Sequence, residues 1–516
     1  MNRIRSALCI VASAALWVGL LAGPLSATAD RWPAGASDVA STVDAQIETL
    51  LAEYRIPGAT VSVVADGELL YANGYGWADL EQDRPVVADE TLFGVASVTK
   101  LFLWTAVMQL VEQGLVDLHA DVQDYLGDLR IPAAYDESIT LAHLMTHTAG
   151  FAEMTGPLYG RKLPILSDYL VAHMPERIFR PGTVTAYSNY GAALAAHILE
   201  HLTGVPCPTY IEEHILRPLG MNNSSLTQPL PAELAARGSA SYVLRFGKIK
   251  RNAPLLDLLL AAGGLSATAT DMAAFMIAHL QNGQYGDARI LSAETAEVMH
   301  RRQFANELRL PGVCYGFLEY FRNGLRVIQH GGDADFHSIL ALIPDRNVGV
   351  FFAINSAGSG NGSLITQRFL MEFLDRWFPP AAEVDERPDV LAVGVGNARS
   401  CAGAYLPRRR VESGLLGLTY RLLGCVRVRP LSDRSIRMTG LMLDMELTEV
   451  EPRLFAEVGG PLKVAFTEDD RGGIHLMQHD DFPAMAYEKL HPTETPQFAF
   501  GFVGLLGVLA ALAFLI

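Results

Sequence analysis

Strand-like segments lie at both ends of residues 58–354, with a helical segment between them. This order of elements constrains the fold more than any other feature of the chain. At its start, GATVSVVADGELLYANGYG predicts two strands joined by an Asp66-Gly67 turn. At its end, four short apolar runs, CYGFLEYF, GLRVIQHG, HSILALIP and VGVFFAIN, are separated by turn residues. A long, mainly helical segment lies between them. Because strands stand at both ends, we expect one antiparallel sheet that the two ends of the region close together.

Two globular units are expected along the chain. With 516 residues, of which 50% are hydrophobic and 19% charged, the sequence can bury one large core and a second, smaller one. The acidic, proline-punctuated stretch FPPAAEVDERPDV predicts a linker over residues 379–397. The linker separates a first domain at residues 38–378 from residues 398–490, where strand-like runs predict a small β-rich domain.

The first residues have the pattern of an export signal. Two arginines precede an apolar run over residues 7–23, and Ala27-x-Ala29 follows it, which is typical of a cleavable signal peptide at residues 1–29. The mature protein would then begin near Asp30. The alternative is an uncleaved anchor helix, and either interpretation exports the chain.

The last residues predict a membrane segment. Every residue from 498 to 516 is apolar or glycine, about the length that crosses a hydrocarbon core. The alternative is a buried core helix, although such helices usually carry a polar face. Because the sequence stops inside the apolar run, we expect that it was cut within or after a first transmembrane helix. Both ends together predict domains that lie in the periplasm or outside the cell, held at the cell membrane.

Charge and cysteine usage exclude two classes of protein. The formal charge of −16 would repel a phosphate backbone, so nucleic acid is not an expected partner. Beyond the export signal the cysteines are dispersed, without a C-x-x-C pair, and therefore do not predict a zinc site. Cys401 and Cys425 could bridge within the small domain or remain buried thiols, and the sequence leaves both possibilities open.

A serine and a lysine stand three residues apart in FGVASVTKLFLW. If a helix begins there, Ser97 and Lys100 share one face, with the serine at the positive end of the helix dipole. A serine hydroxyl is a weak nucleophile until a neighbouring group takes its proton, and a buried lysine can do so. The alternative is an N-capping serine beside an exposed lysine. No other lysine of the chain has a serine three positions earlier.

Two further segments carry polar residues at the ends of predicted elements. PGTVTAYSNYGAALAAHILEHLTG places Tyr187 and Asn189 in a turn just before an amphipathic helix, from which both can project into a cleft. VIQHGGDADFHS ends a strand with His330 and two glycines, which allow close approach of a substrate or another backbone. Taken singly, these residues could also be a buried phenol, a turn asparagine and a structural histidine.

Together the three segments resemble the three motifs of the serine β-lactamase and penicillin-binding-protein superfamily, in its class C-like branch. Those motifs are S-x-x-K, Y-x-N, and K-T-G or H-x-G on a strand. LAHLMTHTAGF, ILRPLGM and AGGLSATATDMAAFM are also similar to segments of that family, and the resemblance covers residues 39–378. It implies an active site between a sheet and a helical cluster. The predicted fold class is α+β: an antiparallel sheet flanked by helices with a helical cluster, then a small β-rich domain and a C-terminal transmembrane helix.

The resemblance also implies roles for the motif residues. Ser97 would be the nucleophile that is acylated, Lys100 the base or proton relay beside it, and Tyr187 a partner in proton transfer. The backbone N–H groups of Ser97 and Asp333 would form the oxyanion hole. No metal and no organic cofactor is required, and His147 is interpreted as a structural histidine near the site. The residues that would bind the substrate are Asn189, His330, Gly331, Gly332 and Asp333.

One departure from β-lactamases bears on the substrate. Where those enzymes usually have a lysine that holds the β-lactam carboxylate, this chain has His330 and, three residues later, Asp333. A neutral imidazole and a carboxylate make a poor anion site. We therefore expect a small-molecule or peptidoglycan-type acyl substrate: esters, or D-amino-acid amides and esters of the cell envelope. The alternatives are a β-lactamase or DD-carboxypeptidase and, in another class, a non-catalytic envelope protein that keeps the fold to bind a partner.

Overall fold

The structure is a computed structural model that describes residues 35–380, 396–441 and 443–495. The predicted signal peptide, most of the predicted linker and residues 498–516 lie outside the described residues. The helices are α1 Ala36–Tyr54, α2 Thr99–Glu112, α3 Leu141–Met145, α4 Leu166–Ala172, α5 Asn189–Thr203, α6 Cys207–Ile211, α7 Ala232–Ala235, α8 Leu260–Gly263, α9 Ala269–Leu280, α10 Ala293–His300, α11 Gly362–Trp377, α12 Ala398–Cys401 and α13 Gly414–Leu423.

A seven-stranded antiparallel sheet forms the centre of the first unit. Its strands are β1 Gly58–Ala65, β2 Glu68–Asp79, β3 Arg84–Pro85, β4 Leu318–Arg322, β5 Leu325–Asp333, β6 His337–Ile343 and β7 Val348–Ile354, in the spatial order β4-β5-β6-β7-β1-β2-β3. The first strand therefore pairs with the last one, with Ala59 opposite Ile354. Residues of β1, β6 and β7 are buried throughout, which explains why these strands appear in the sequence as nearly continuous apolar runs.

Helices cover both faces of this sheet. Successive side chains of a strand point to opposite faces, and the adjacent Phe351 and Phe352 accordingly belong to two different cores. Phe352 stacks on Phe369 of α11, on the face that α11 shares with α1. Phe351 lies in the larger core with α2, α5 and α9. The predicted cleft residues belong to this second, helix-rich side.

The second unit is a closed β-barrel. Its eight strands are β8 Gly403–Pro407, β9 Val426–Pro430, β10 Ser435–Gly440, β11 Leu443–Glu451, β12 Leu454–Glu457, β13 Lys463–Glu468, β14 Ile474–His479 and β15 Tyr487–Lys489. Antiparallel pairing of β8 with both β9 and β15 closes the ring. Tyr405, Phe455 and Phe466 are buried inside it.

The predicted fold class is wrong. The described residues form a mixed α/β fold, since helices pack on both faces of the sheet, and the β-rich part is a closed eight-stranded barrel. A closed ring leaves no unpaired edge strands, a property that short strand-like runs in a sequence do not reveal. None of the described helices is long and apolar enough to cross a membrane, and the predicted transmembrane segment, residues 498–516, lies outside the described residues.

The barrel contacts the first unit through two of its loops. Thr185 donates a hydrogen bond to the carbonyl of Pro483 at 3.0 Å, and Ala186 forms an isolated β-bridge with Met485. The loop after β8 is held by the N–H of Glu153, which donates to the carbonyl of Arg410 at 2.8 Å. Both loops therefore lie against the segments that flank the predicted site.

The described cysteines are free thiols. Cys207, Cys314 and Cys401 are buried, and Cys425 is partly buried. Of the two alternatives that the sequence left open for Cys401 and Cys425, the structure therefore contains the unbridged one.

Candidate active site

Ser97 and Lys100 lie at the entrance of α2. Ser97 belongs to a short 3-10 turn, Ala96–Val98, directly before the helix. Lys100 is completely buried, and its Nζ lies 3.0 Å from Ser97 Oγ and donates to the carbonyl of Ala262 at 2.6 Å. The alternative of an N-capping serine beside an exposed lysine does not hold, because α2 has Val98 at its N-cap and Lys100 is inside the protein.

The turn that carries Ser97 is pressed against the end of β5. Ala96 has a φ of 46°, a left-handed conformation that is costly for a residue with a Cβ. A Cβ on Gly332 would lie 2.3 Å from the carbonyl oxygen of Val95, whereas one on Gly331 would meet no atom closer than 3.8 Å. Gly332 is therefore the glycine that lets the strand reach the serine turn.

Tyr187 lies behind Lys100 in an almost fully buried position, with 6% of its surface exposed. Lys100 Nζ is 5.1 Å from the centroid of its ring. The imidazoles of His147 and His330 lie 4.3 and 6.1 Å from the same ring, centroid to centroid. The phenolic oxygen is buried and has no hydrogen-bond partner among the described residues. The structure thus brings Tyr187 together with Lys100 and His330, and it places His147, interpreted from the sequence as a structural histidine near the site, against the same ring.

Both histidines are neutral and their tautomers are fixed by the backbone. His147 Nδ1 accepts from the N–H of Ser188 at 3.2 Å, while His330 Nδ1 donates to the carbonyl of Gly331 at 2.7 Å. Burial, reinforced by the Lys100 ammonium, lowers the pKa of His330 to about 3. The same two causes hold the pKa of His147 well below its usual range. Each Nε2 is buried and lacks a partner among the described residues.

A small cavity opens in front of Ser97. Ser97, Asn189 and Asp333 line it together. Asn189 is the first residue of α5 and follows Ser188, whose side chain caps that helix. The sequence therefore identified three residues of one cavity that are far apart in the chain.

The carboxylate of Asp333 accepts a hydrogen bond that the sequence does not reveal. The carboxylate bonds to His337 Nδ1 at 2.6 Å, which lowers the pKa of Asp333. Two further groups line the same cavity without any signal in the sequence, Tyr159 and Asp257. Burial raises the pKa of Asp257 to about 6. No motif marks either residue, and only the fold places them beside Ser97.

The barrel contributes two more side chains that the sequence analysis missed. The guanidinium carbon of Arg409 lies 5.1 Å from the centroid of the Tyr187 ring, and its Nε forms an ion pair with Glu153. The ring of Phe482 is 5.7 Å from the Tyr187 ring. The sequence holds one visible signal, the three consecutive arginines at 408–410. A basic run alone does not indicate which residues it contacts.

Comparison with known proteins identifies the family of the chain. Residues 43–370 match the family model described as Beta-lactamase. The chain is 29% identical to Penicillin-binding protein 4 of Amycolatopsis lactamdurans over 63% of this chain and 87% of that protein. It is 34% identical to Esterase EstB of Burkholderia gladioli over 39% of this chain and 55% of that protein. The fold is similar to that of the octameric penicillin-binding protein homologue from Pyrococcus abyssi, with a TM-score of 0.56 and 22% identity over 87% of this chain and 100% of that one.

The chain belongs to the β-lactamase family, and the resemblance inferred from its three motifs is confirmed. The protein is a serine hydrolase with the β-lactamase fold, as its relatives are. The roles assigned to single residues of the site stay predictions.

Proposed function

We propose that the protein hydrolyses esters, or D-amino-acid amides and esters of the cell envelope, through an acyl-enzyme on Ser97. The observation that carries this proposal is the 3.0 Å contact between Ser97 Oγ and the Nζ of the buried Lys100. A lysine in a dry environment beside a serine hydroxyl is the arrangement that turns the hydroxyl into a nucleophile. The proposed mechanism uses no metal or organic cofactor.

The proposed reaction has two halves. In the first, Ser97 Oγ attacks the acyl carbon while Lys100 and Tyr187 carry its proton to the leaving group. In the second, water attacks the acyl-enzyme and the same two groups return the proton to Ser97. The N–H groups of Ser97 and Asp333 would stabilise the oxyanion, since both residues line the cavity. Asn189, at the start of α5, would bind the amide or ester chain of the substrate.

The charges of the cavity support neutral or cationic acyl donors. His330 is a neutral imidazole, and the carboxylates of Asp257 and Asp333 line the same cavity as Ser97. Anionic donors such as penicillins would therefore bind less well than simple esters or D-alanyl compounds. The named esterase among the relatives supports ester substrates.

An extracytoplasmic location is part of the proposal. It is supported by the basic and apolar pattern of residues 1–29 and by the position of envelope substrates outside the cytoplasm. Fusion of residues 1–40 to alkaline phosphatase, which is active only after export, tests it. Inactive fusion protein would overturn the location without affecting the chemistry proposed for Ser97.

Replacement of the nucleophile tests the chemistry. Ser97→Ala is expected to abolish hydrolysis of p-nitrophenyl acetate while changing the free energy of unfolding by only about 1 kcal/mol, the value of one hydrogen bond. A fluorophosphonate should label Ser97 of the wild-type protein, as identified by mass analysis of the modified peptide. Full activity in a folded Ser97→Ala variant would exclude this nucleophile. A specificity constant higher for a penicillin than for any ester or D-alanyl substrate would instead make the protein a β-lactamase.

A further inference from the structure

The loop between β8 and α13 carries a cation from the barrel into the site of the first unit. Arg409 is the residue that reaches the ring of Tyr187. Its two neighbours in the basic run point elsewhere, since the guanidinium groups of Arg408 and Arg410 lie 4.0 and 5.6 Å from the ring of Phe179. Within this run, only Arg409 therefore faces a predicted catalytic group.

The guanidinium of Arg409 is bound on one edge only. Its Nε donates to the carboxylate of Glu153, and this ion pair fixes the side chain at the domain boundary. Its two terminal nitrogens make no hydrogen bond to a described residue. The guanidinium cation thus faces the Tyr187 ring, and its two terminal nitrogens are available as hydrogen-bond donors.

The charged groups that contact Tyr187 among the described residues are all positive. Lys100 contacts the ring from α2 and Arg409 from the barrel, each with its cationic centre 5.1 Å from the ring centroid. The other titratable groups against the ring, His147 and His330, are neutral because burial lowers the pKa of both. Phe482 adds an apolar contact. The only full charges that contact the ring from the described residues are therefore positive.

The strand beside Tyr187 supplies no positive charge. The residue of β5 that faces the ring is His330, whose imidazole is neutral. The oxygen of Tyr187 is buried without a hydrogen-bond partner among the described residues, and a negative charge there would be costly in isolation. Two cations whose centres lie 5.1 Å from the centroid of the ring lower that cost, because opposite charges attract.

We propose that Arg409 is a positioning residue of the active site, which acts through Tyr187: together with Lys100 it stabilises the phenolate form of Tyr187 that accepts and returns the proton of Ser97. The inference deepens the proposed function, since it rests on Ser97 as the nucleophile. It also makes the barrel a part of the catalytic unit, because the required charge comes from the loop after β8.

The proton balance of the step is complete without a further reactant. As the bond between Ser97 Oγ and the acyl carbon forms, Lys100 Nζ, 3.0 Å from Ser97 Oγ, takes the Ser97 proton and passes one of its own to the oxygen of Tyr187. As the bond between the acyl carbon and the leaving group breaks, Tyr187 gives this proton to the leaving group and becomes a phenolate again. Deacylation repeats the cycle with water in place of Ser97 as the proton donor and Ser97 as the leaving group.

The pH dependence of the rate tests the role of Arg409. Removing its charge makes the phenolate form less stable, so activity should require a higher pH. Arg409→Met is expected to lower kcat for p-nitrophenyl acetate about tenfold or more at neutral pH, with KM changed less than about twofold. The acidic limb of the kcat profile should move up by about one pH unit or more. Arg409→Lys, which keeps the charge, should retain most of the activity and the original limb.

Arg408→Met is the matched control. It removes a cation from the same loop, but one that contacts Phe179 and forms an ion pair with Glu488. Its profile should keep the wild-type acidic limb. The proposal is overturned if Arg409→Met leaves kcat and the limb unchanged, if Arg409→Met and Arg408→Met lower the rate equally at every pH, or if only the KM of anionic substrates rises.

A second readout separates this proposal from the proposed function. The rate at which a fluorophosphonate labels Ser97, measured over the same pH series, reports the activation of the nucleophile without any need for turnover. No labelling of the wild-type Ser97 at any pH overturns the proposed function and this inference with it. Labelling with the same pH dependence in wild type and Arg409→Met overturns the role of Arg409 alone.

Discussion

The complete burial of Lys100 cannot be explained by a gain in folding stability. None of its surface is exposed, and its ammonium group has two hydrogen-bond partners, Ser97 and the carbonyl of Ala262. Removing an ammonium group from water is expensive unless it is paired, and neither partner carries a charge. The fold therefore maintains an unfavourable group at this position, as expected for a residue kept for its chemistry.

Replacing this lysine should separate activity from stability. Lys100→Met keeps most of the volume and removes the charge, so hydrolysis of p-nitrophenyl acetate should fall by about a hundredfold or more. The free energy of unfolding should stay the same or rise by up to about 2 kcal/mol, since relief from burying the charge offsets the lost hydrogen bonds. Urea unfolding and initial rates check both values. Lys162→Met, at an exposed position, should change neither; a large loss of stability in Lys100→Met would contradict the interpretation.

The buried histidines should make stability depend on pH. The pKa of His330 is about 3 in the folded protein and about 6.5 in an unfolded chain. Between these values the unfolded chain binds more protons, so this contribution to stability is complete above about pH 6.5 and is lost as the pH falls toward 3. It amounts to about 2 kcal/mol between pH 7 and pH 5.

The variant His330→Gln checks this dependence. Its free energy of unfolding in urea should fall less between pH 7 and pH 5 than that of the wild type, by about 2 kcal/mol. His119→Gln, which removes an exposed histidine, should reproduce the wild-type change. The same pH dependence in His330→Gln as in the wild type would show that His330 is not held neutral by burial.

The sequence predicted those site residues that belong to a motif with characteristic spacing. It did not predict the site residues that belong to no motif. Ser97 and Lys100 share a helix turn, and Tyr187 precedes a helix, so the spacing of each motif predicts its setting. Asp257 and Arg409 have no such spacing. They reach the cavity and Tyr187 only because distant parts of the chain pack together.

At the scale of elements, the close approach of β5 to the Ser97 turn depends on one glycine. A Cβ at Gly332 would lie 2.3 Å from the carbonyl oxygen of Val95, so Gly332→Ala must push the strand and the turn apart. We expect a loss of about 1–3 kcal/mol in stability and of about a hundredfold in kcat, because catalytic geometry tolerates little displacement. Thermal unfolding and steady-state kinetics measure both.

The preceding glycine provides the control for this substitution. Gly331→Ala adds the same methyl group where the nearest atom, the carbonyl oxygen of Ser338, is 3.8 Å away. It should leave stability within about 0.5 kcal/mol of the wild type. Equal losses of stability in the two variants would mean that the contact with Val95 does not decide how closely β5 approaches the turn.

Element type could be predicted where the pattern is strong, but fold class could not. The apolar runs that became β1 and β7 indicated strands, and the turn at Asp66-Gly67 joins β1 to β2 in the structure. Closure of the barrel depends on the pairing of β8 with β15, whose paired residues stand 80 to 84 positions apart in the chain. Propensity describes a strand, whereas pairing is decided by tertiary contacts. The predicted α+β class was wrong for this reason, whereas the predicted membrane helix lies outside the described residues.

At the scale of the whole molecule, the two units are joined by three small hydrophobic clusters. Three clusters contain buried residues from both of them: Phe179, Val184 and Ala186 with Leu476 and Ala486; Tyr187, Val313 and Leu318 with Ala484; and Leu310 with Leu454 and Ala465. Shared burial couples the stability of the units. We therefore expect the barrel and the first unit to unfold together.

Calorimetry checks this coupling. The wild-type protein should show one transition whose calorimetric and van't Hoff enthalpies agree. Phe482→Ala, which removes a barrel side chain from the Tyr187 ring, should lower the temperature of that single transition by an amount equivalent to about 2 kcal/mol. Phe246→Ala, at a fully exposed position, should leave it unchanged. Two well-separated transitions in the wild type would show that the units fold independently.

The pairing of β1 with β7 also has a consequence for synthesis. Because Ala59 pairs with Ile354, a nascent chain holds its first central strand long before the partner exists. At about 5–20 residues per second, a ribosome needs roughly 15 to 60 s to reach the second strand. In that interval the segment with Ser97 and Lys100 has emerged, while β5, which forms the opposite wall of the cavity, is still being translated. We therefore expect that the growing polypeptide contains Ser97 before its active-site cavity can form. The hydrolase should be inactive until its synthesis is almost complete.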